Sequence, residues 1–233
     1  MRYAVYATPA RYSGLADAGA AWLGRDAFSG DALPQPAVPG VDPDRFVAIT
    51  ADARRYGFHA TLKPPFALAA GRNEADLRAA FAAFAKDRAA PWTALSVGRI
   101  DGFLAIVPQG RPPGLHALAD AAVEAFDRFR AAAAPAEIAR RRTADLTGRQ
   151  DMHLLRWGYP YVFDDFRFHL TLSARLAGEE ARLVEAAANA WFAPCLAEPV
   201  AVDTLGLFVE PSPGAPFTVL ETATLAPAGA ETR

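Results

Sequence analysis

A single cysteine, Cys195, leaves the chain without an internal disulfide and without a multi-cysteine metal knuckle. It reads as a small packed residue beyond a helix, since no neighbour marks it as a nucleophile. No uncharged apolar run reaches the roughly 18 residues of a membrane span. The opening stretch Met1-Arg2-Tyr3-Ala4-Val5-Tyr6 lacks both the apolar core and the small-residue cleavage site of a secretory leader. The expectation is therefore a soluble, cytoplasmic protein without a membrane partner. An excess of either charge is missing too: the formal charge is −2 and the pI near 6.1. That balance argues against a broad polyanion-binding surface and leaves room for a local phosphate pocket. Histidine is scarce, at four residues, and two of the four sit in matching surroundings.

Those two are His59, in His59-Ala60-Thr61-Leu62, and His169, in His169-Leu170-Thr171-Leu172. Around the first, Tyr56, Phe58, Ala60 and Leu62 share one parity and His59, Thr61 and Lys63 the other. Around the second, Phe166, Phe168, Leu170 and Leu172 alternate with Arg167, His169, Thr171 and Ser173. A period of two marks a strand with one buried face. Each tetrad then presents an imidazole and a hydroxyl side by side, away from the packing layer. Two such strands facing one cleft would form a site.

Of the residues, 52% are hydrophobic, enough to bury a substantial core. Residues 2–8 read as a first strand and 12–23 as a short helix. The Gly-, Pro- and Asp-rich stretch 24–44 reads as a loop, with Phe46 to Ile49 as a strand or turn. Pro64-Pro65 should end the first tetrad strand. Asn73 is a candidate N-cap for a helix over 74–89. Two strands, about 93–99 and 102–107, should be joined tightly at Asp101-Gly102. A helix follows Pro112-Pro113. The second tetrad strand is followed by a helix over about 179–192 and strands near 200–209 and 216–225. Strand–helix–strand–strand thus occurs twice, each time opening with His-x-Thr-Leu.

This duplicated pattern resembles the two-histidine (2H) phosphoesterase superfamily, which includes RNA ligase-like cyclic phosphodiesterases. The stretch Arg55 to Phe66, together with Arg156-Trp157-Gly158-Tyr159-Pro160-Tyr161-Val162 and Phe166 to Leu172, looks like a branch associated with phosphonate metabolism. The resemblance implies an α+β, bilobal fold: two antiparallel sheets with pseudo-twofold symmetry around a central cleft, helices outside. The expected organisation is one domain over about 1–226. A first lobe would span about 45–130, an insertion 135–165 and a second lobe 166–226, with a flexible tail at 227–233. The resemblance also implies a metal-independent hydrolase of a cyclic phosphate or phosphodiester, with no cofactor. His59 and His169 take its catalytic positions and Thr61 and Thr171 its phosphate-binding positions.

Such chemistry suits these side chains. One imidazole can take a proton from water while the other delivers one to the leaving oxygen, provided their pKa values lie near 6.5. Threonine hydroxyls can donate to non-bridging oxygens. Lys63 and Arg167 fall on the histidine parities and are candidates for a second phosphate, with Tyr3 and Tyr6 as weaker stacking candidates. The insertion reads as a lid or wall bringing Arg140 to Arg142 or Arg156 to the cleft, or as an extra helix pair with its arginines in solvent. His116 and His153 read as structural or surface residues. The expected substrate is a small phosphorylated sugar such as a ribose 1,2-cyclic phosphate. The alternatives are an RNA 2′,3′-cyclic phosphate or 2′,5′-phosphodiester hydrolase and a non-catalytic RNA- or nucleotide-binding module. A metallohydrolase would need carboxylates that the sequence does not place beside the histidines.

Overall fold

A computed structural model describes residues 1–227. Nine strands and seven α-helices alternate: β1 (Arg2–Ala7), α1 (Gly14–Leu23), α2 (Pro43–Tyr56), β2 (Ala60–Phe66), α3 (Glu74–Lys86), β3 (Trp92–Thr93), β4 (Leu95–Ile100), β5 (Phe103–Pro108), α4 (Pro113–Asp127), α5 (Pro135–Arg142), α6 (Gly148–Trp157), β6 (Leu170–Arg175), α7 (Gly178–Leu196), β7 (Val200–Ala201), β8 (Thr204–Glu210) and β9 (Thr218–Thr224). A short 3-10 turn, Phe163–Asp165, precedes β6.

Local signals explain most boundaries. Asn73 caps α3 by accepting from the Asp76 N–H at 2.8 Å. The β4–β5 turn has positive φ at both Asp101 (47°) and Gly102 (92°), the backbone a two-residue hairpin of right-handed twist requires. The segment read as loop and strand contains α2 instead. Asp42 accepts from the N–H groups of Asp44 and Arg45 at 2.9 and 3.1 Å, and Pro43 occupies the first turn. Phe46, Ile49, Thr50 and Ala53 form its buried stripe, whose helical spacing the preceding Gly- and Pro-rich stretch obscures. Pro64 and Pro65 lie inside β2, not beyond it. They fall where pairing with β1 is irregular and β6 is no longer bonded, so their missing N–H groups leave no ladder acceptor wanting.

The strands form two antiparallel sheets, one of seven strands in the order β4-β5-β6-β2-β1-β8-β9 and a ribbon of β3 and β7. The contiguous segments 45–130 and 166–226 do not each form a lobe. The β4–β5 hairpin of the first half pairs with β6 of the second. The β8–β9 hairpin of the second half joins β2 through β1. The halves are thus interlocked, and the two tetrad strands meet at the sheet centre through one pair, Ala60 opposite Leu170. Apolar residues of α1, α2, α3, α4 and α7 cluster with Ala60, Leu62, Leu170 and Leu172. Ala226 is held by hydrogen bonds with Arg88 and Ala90, so chain order extends past β9. The expected tail at 227–233 lies, beyond Pro227, outside the described residues.

A bulge in β2 separates two residues that simple alternation puts together. Val5 lies opposite Lys63 and Tyr6 opposite Thr61, so one step on β1 spans two on β2. Paired residues share a face and Val5 and Tyr6 face opposite ways; hence Lys63 turns away from Thr61. It is 0% exposed, and its Nζ donates to the Val123 carbonyl and Asp127 Oδ1, each at 3.0 Å. Tyr3, on the Val5 side, donates its hydroxyl to Glu74 Oε2 at 2.7 Å. Neither residue belongs to the histidine face, which corrects the expectation for Lys63 and Tyr3.

Asp127 also binds Arg130 at 2.8 Å and Arg156 at 3.1 Å. Losing Lys63 leaves that carboxylate paired, whereas losing Asp127 leaves a buried ammonium without its counter-charge. Asp127→Ala should therefore cost roughly 3 kcal/mol and Lys63→Met less than half as much, read from urea unfolding midpoints. Equal losses would refute the asymmetry.

Candidate functional site

The sheet centre builds the site. Continuing the register of Ala60 and Leu170 sets His59 opposite Thr171 and Thr61 opposite His169. All four therefore lie on one face, each imidazole beside a hydroxyl from its own strand and another from the neighbour. Such cross-strand pairs have Cβ atoms about 5 Å apart.

The two histidines are held alike. His59 Nδ1 lies 2.9 Å from the Gly57 carbonyl and His169 Nδ1 2.7 Å from the Arg167 carbonyl. A carbonyl only accepts, so in both rings Nδ1 carries the proton and the neutral Nε2 is an acceptor. His59 Nε2 takes the Thr61 hydroxyl at 3.1 Å. Gly57 shows why the slot matching Arg167 is glycine. Its φ is +82°, and an added Cβ would fall 2.6 Å from Ala27 Cβ. Tyr6, buried and facing Thr61 across β1, stacks on the His59 ring with centroids 3.7 Å apart. It positions the imidazole from within a small cluster with Phe208 and Phe217. Phe103 packs near His169, with centroids 5.6 Å apart.

Burial lowers the pKa of both histidines, that of His59 to about 4 with a further push from His169. The free site therefore holds two neutral imidazoles at neutral pH, not the one-neutral, one-charged pair expected from pKa values near 6.5.

Two adjoining cavities make up the cleft. One, of about 700 Å³, reaches His169, Arg167, His116 and Asp164. The other, of about 510 Å³, reaches His59, Tyr6, Thr171, Arg140 and Arg141. Thr61, Pro64, Phe103, Tyr159 and Arg175 line both. The α5–α6 insertion walls the cleft, tied down by Arg142 on Asp151 at 2.6 Å, Arg149 on Asp165 at 2.8 Å and Arg156 on Asp127. Arg167 is exposed and reaches Asp101 only at 3.4 Å. Tyr159 and Arg175 were missed from sequence. Arg175 was within reach: it continues the outward parity of His169, Thr171 and Ser173. Tyr159 lies in irregular backbone, where no periodicity points. Among the described residues no cluster of three His, Cys, Asp or Glu side chains could hold a metal ion. No described helix is long and apolar enough to cross a membrane.

The lowered His59 pKa has a defined effect on stability. Between pH 6.5 and 4 the unfolded chain takes up a proton that the half-buried, poorly solvated ring refuses, so stability falls as pH falls through that window. Replacing the ring by His59→Asn should make the loss of urea midpoint between pH 7 and pH 5 smaller than in the wild type. An unchanged loss would show that the ring is not buried against protonation.

Two relatives named "Ribose 1,5-bisphosphate phosphokinase PhnN" are similar to almost the whole chain. The protein from Janthinobacterium sp. (strain Marseille) is 41% identical over 221 residues, 93% of this chain and 49% of its own length. That from Laribacter hongkongensis (strain HLHK9) is 40% identical over 230 residues, 98% of this chain and 53% of its own length. The chain spans about half the length of these curated relatives. Their names overturn the assignment to the two-histidine phosphoesterases and, with it, the expected cyclic phosphodiesterase activity. Both relatives are named as phosphokinases, and neither as a phosphoric diester hydrolase. A family model described as "Protein of unknown function (DUF1045)" matches residues 61–218, more than half of the chain, and the chain belongs to that family.

Proposed function

We propose that the central cleft binds a phosphorylated ribose of the ribose 1,5-bisphosphate type and presents it for phosphokinase chemistry. The observation that supports this reading is the crossed set of His59, Thr61, His169 and Thr171 on one sheet face. Thr171 offers a hydroxyl donor to a phosphoryl oxygen, and Thr61, which donates to the neutral His59 Nε2, is released to do the same once that nitrogen takes up a proton. Each imidazole is fixed through Nδ1 and lines one of the two adjoining cavities, and its Nε2 becomes a charged donor once it takes up a proton. A phosphate dianion and two lone pairs would repel each other, so occupancy and protonation are coupled. The cleft is thereby a holder of phosphate charge, with the histidines as binding and positioning groups.

The nucleotide side of such a reaction is assigned outside this chain. A phosphate-cradling loop of the form G-x-x-x-x-G-K-[ST] needs a lysine after glycine. The two lysines present, Lys63 and Lys86, follow leucine and alanine.

Calorimetric titration with ribose 1,5-bisphosphate should show saturable binding with net proton uptake at pH 7, recognised by repeating it in buffers of different ionisation enthalpy. Thr61→Val and Thr171→Val should each weaken binding by about 1.5–3 kcal/mol, the worth of a hydrogen bond to a charged acceptor. Absence of saturable binding would overturn the reading. Rapid ATP consumption by this chain alone would overturn the placement of the nucleotide chemistry.

A further inference from the structure

The two ends of the cleft differ in electrostatics, and the difference assigns the second phosphate. The cavity around His169 is lined by Arg99, Arg111, Arg167 and Arg175 but also by Asp101, Asp164 and Asp165. Its arginines are largely spoken for. Arg99 binds Glu185 at 2.5 Å and Arg167 lies against Asp101 at 3.4 Å, while Arg111, which has no carboxylate partner, is engaged by the His116 ring at 3.1 Å and the Asp164 carbonyl at 2.9 Å. The cavity around His59 is lined by Arg2, Arg140, Arg141 and Arg175 against the single carboxylate of Asp52. Arg2 is held by Glu210. Arg140 and Arg175 have no carboxylate partner among the described residues. Arg141 contacts Glu137 through one terminal nitrogen at 3.2 Å, while its Nε is buried without any partner. Its guanidinium sits 5.1 Å from the centre of the Tyr159 ring, which holds the group at the cleft wall.

We propose that Arg140, Arg141 and Arg175 form a subsite at the His59 end for the second phosphate monoester of a doubly phosphorylated sugar. The proposal rests on the phosphorylated-ribose reading above and fixes the direction in which that ligand lies. One phosphate sits over the histidine–threonine set. The sugar crosses between Phe103 and Tyr159, and the far phosphate meets the arginines of α5 and the end of β6. Two free cations and one unsatisfied guanidinium N–H supply charge and fork geometry for phosphate oxygens. The competing role for Arg140 and Arg141 is to offset the negative end of α5, in whose last turn they lie. That role would affect the helix and leave ligand choice alone.

The test compares ribose 1,5-bisphosphate with ribose 5-phosphate and ribose 1-phosphate by calorimetry on the full chain. The variants are R140Q/R175Q, R141Q and R167Q, with circular dichroism and urea midpoints as folding controls. Two charge-assisted contacts of about 1.4 kcal/mol each correspond to about a hundredfold preference for the bisphosphate. R140Q/R175Q should reduce that preference to within about threefold while changing monophosphate affinity by less than about threefold, and R167Q should preserve it. Preservation in the double variant, or collapse in R167Q, would overturn the subsite. Should no sugar phosphate bind the wild type, the ribose reading fails and pyrophosphate decides the subsite. Pyrophosphate binding about tenfold weaker in R140Q/R175Q than in the wild type would support it, and equal binding would refute it.

Discussion

The site depends on one narrow seam. β2 and β6 come from distant parts of the chain and are paired only at Ala60 and Leu170. That single pair fixes the register in which each histidine faces the other strand's threonine. A slip of one residue would turn one strand's pair, His59 and Thr61 or His169 and Thr171, into the core, because strand side chains alternate with a strict period of two. The apolar residues of the opposite parity prevent the slip: Ala60, Leu62, Leu170 and Leu172 belong to the main core. Trp22 adds a specific tie, its indole N–H donating to the Leu172 carbonyl at 3.0 Å. With only one bonded pair, the two strands are free to diverge beyond it. The exchange of hairpins supplies the missing constraint, since β4–β5 buttresses β6 while β1 and β8–β9 buttress β2. Neither half of the chain can complete its part of the sheet alone.

The β2 bulge divides labour between the two faces. On one side the chain spends its buried lysine on structure: Lys63, Asp127, Arg130 and Arg156 link β2 to the end of α4 and to the last turn of α6. On the other side the same few residues carry His59 and Thr61. The arginines that line the cleft come instead from β1, β4, the loop after β5, the insertion and the two ends of the β6 segment. Binding and scaffold are electrostatically separate, although they are built from adjacent residues of one strand.

The duplicated tetrads, the Asp101-Gly102 hairpin and the Asn73 cap were legible in sequence because each is a local rule. Strict alternation made His59, Thr61, His169 and Thr171 co-facial, and their placement on one sheet face follows from it. The same rule misplaced Lys63, because a bulge is a pairing property between two strands and neither strand records it alone. The hairpin exchange was equally invisible, since repetition in element order says nothing about which half pairs with which. The α2 helix was hidden by composition: its cap and proline lie in a stretch whose glycines and prolines suggest a loop. Function was the least legible. Paired histidines beside hydroxyls suit phosphate chemistry of more than one kind, and the resemblance chose hydrolysis, which the names of the relatives overturn.

The state of the histidines in the empty site couples their protonation to what the cleft holds. An imidazole that works as an acid or base near neutral pH needs a pKa close to that pH. Burial instead pushes His59 down to about 4 and lowers His169 as well. Both rings therefore wait as acceptors, each locked by a carbonyl at Nδ1. A phosphate dianion entering the cleft supplies the counter-charge that burial withholds, and each imidazolium it creates binds it more tightly. The His59 that is costly to protonate in the empty site becomes favourable to protonate in the filled one. Under the proposed reading the cleft would discriminate by charge: a neutral sugar could not offset the cost of protonating the rings, whereas a phosphorylated one could. Under the same proposal Arg140, Arg141 and Arg175 would give that selectivity a direction along the cleft.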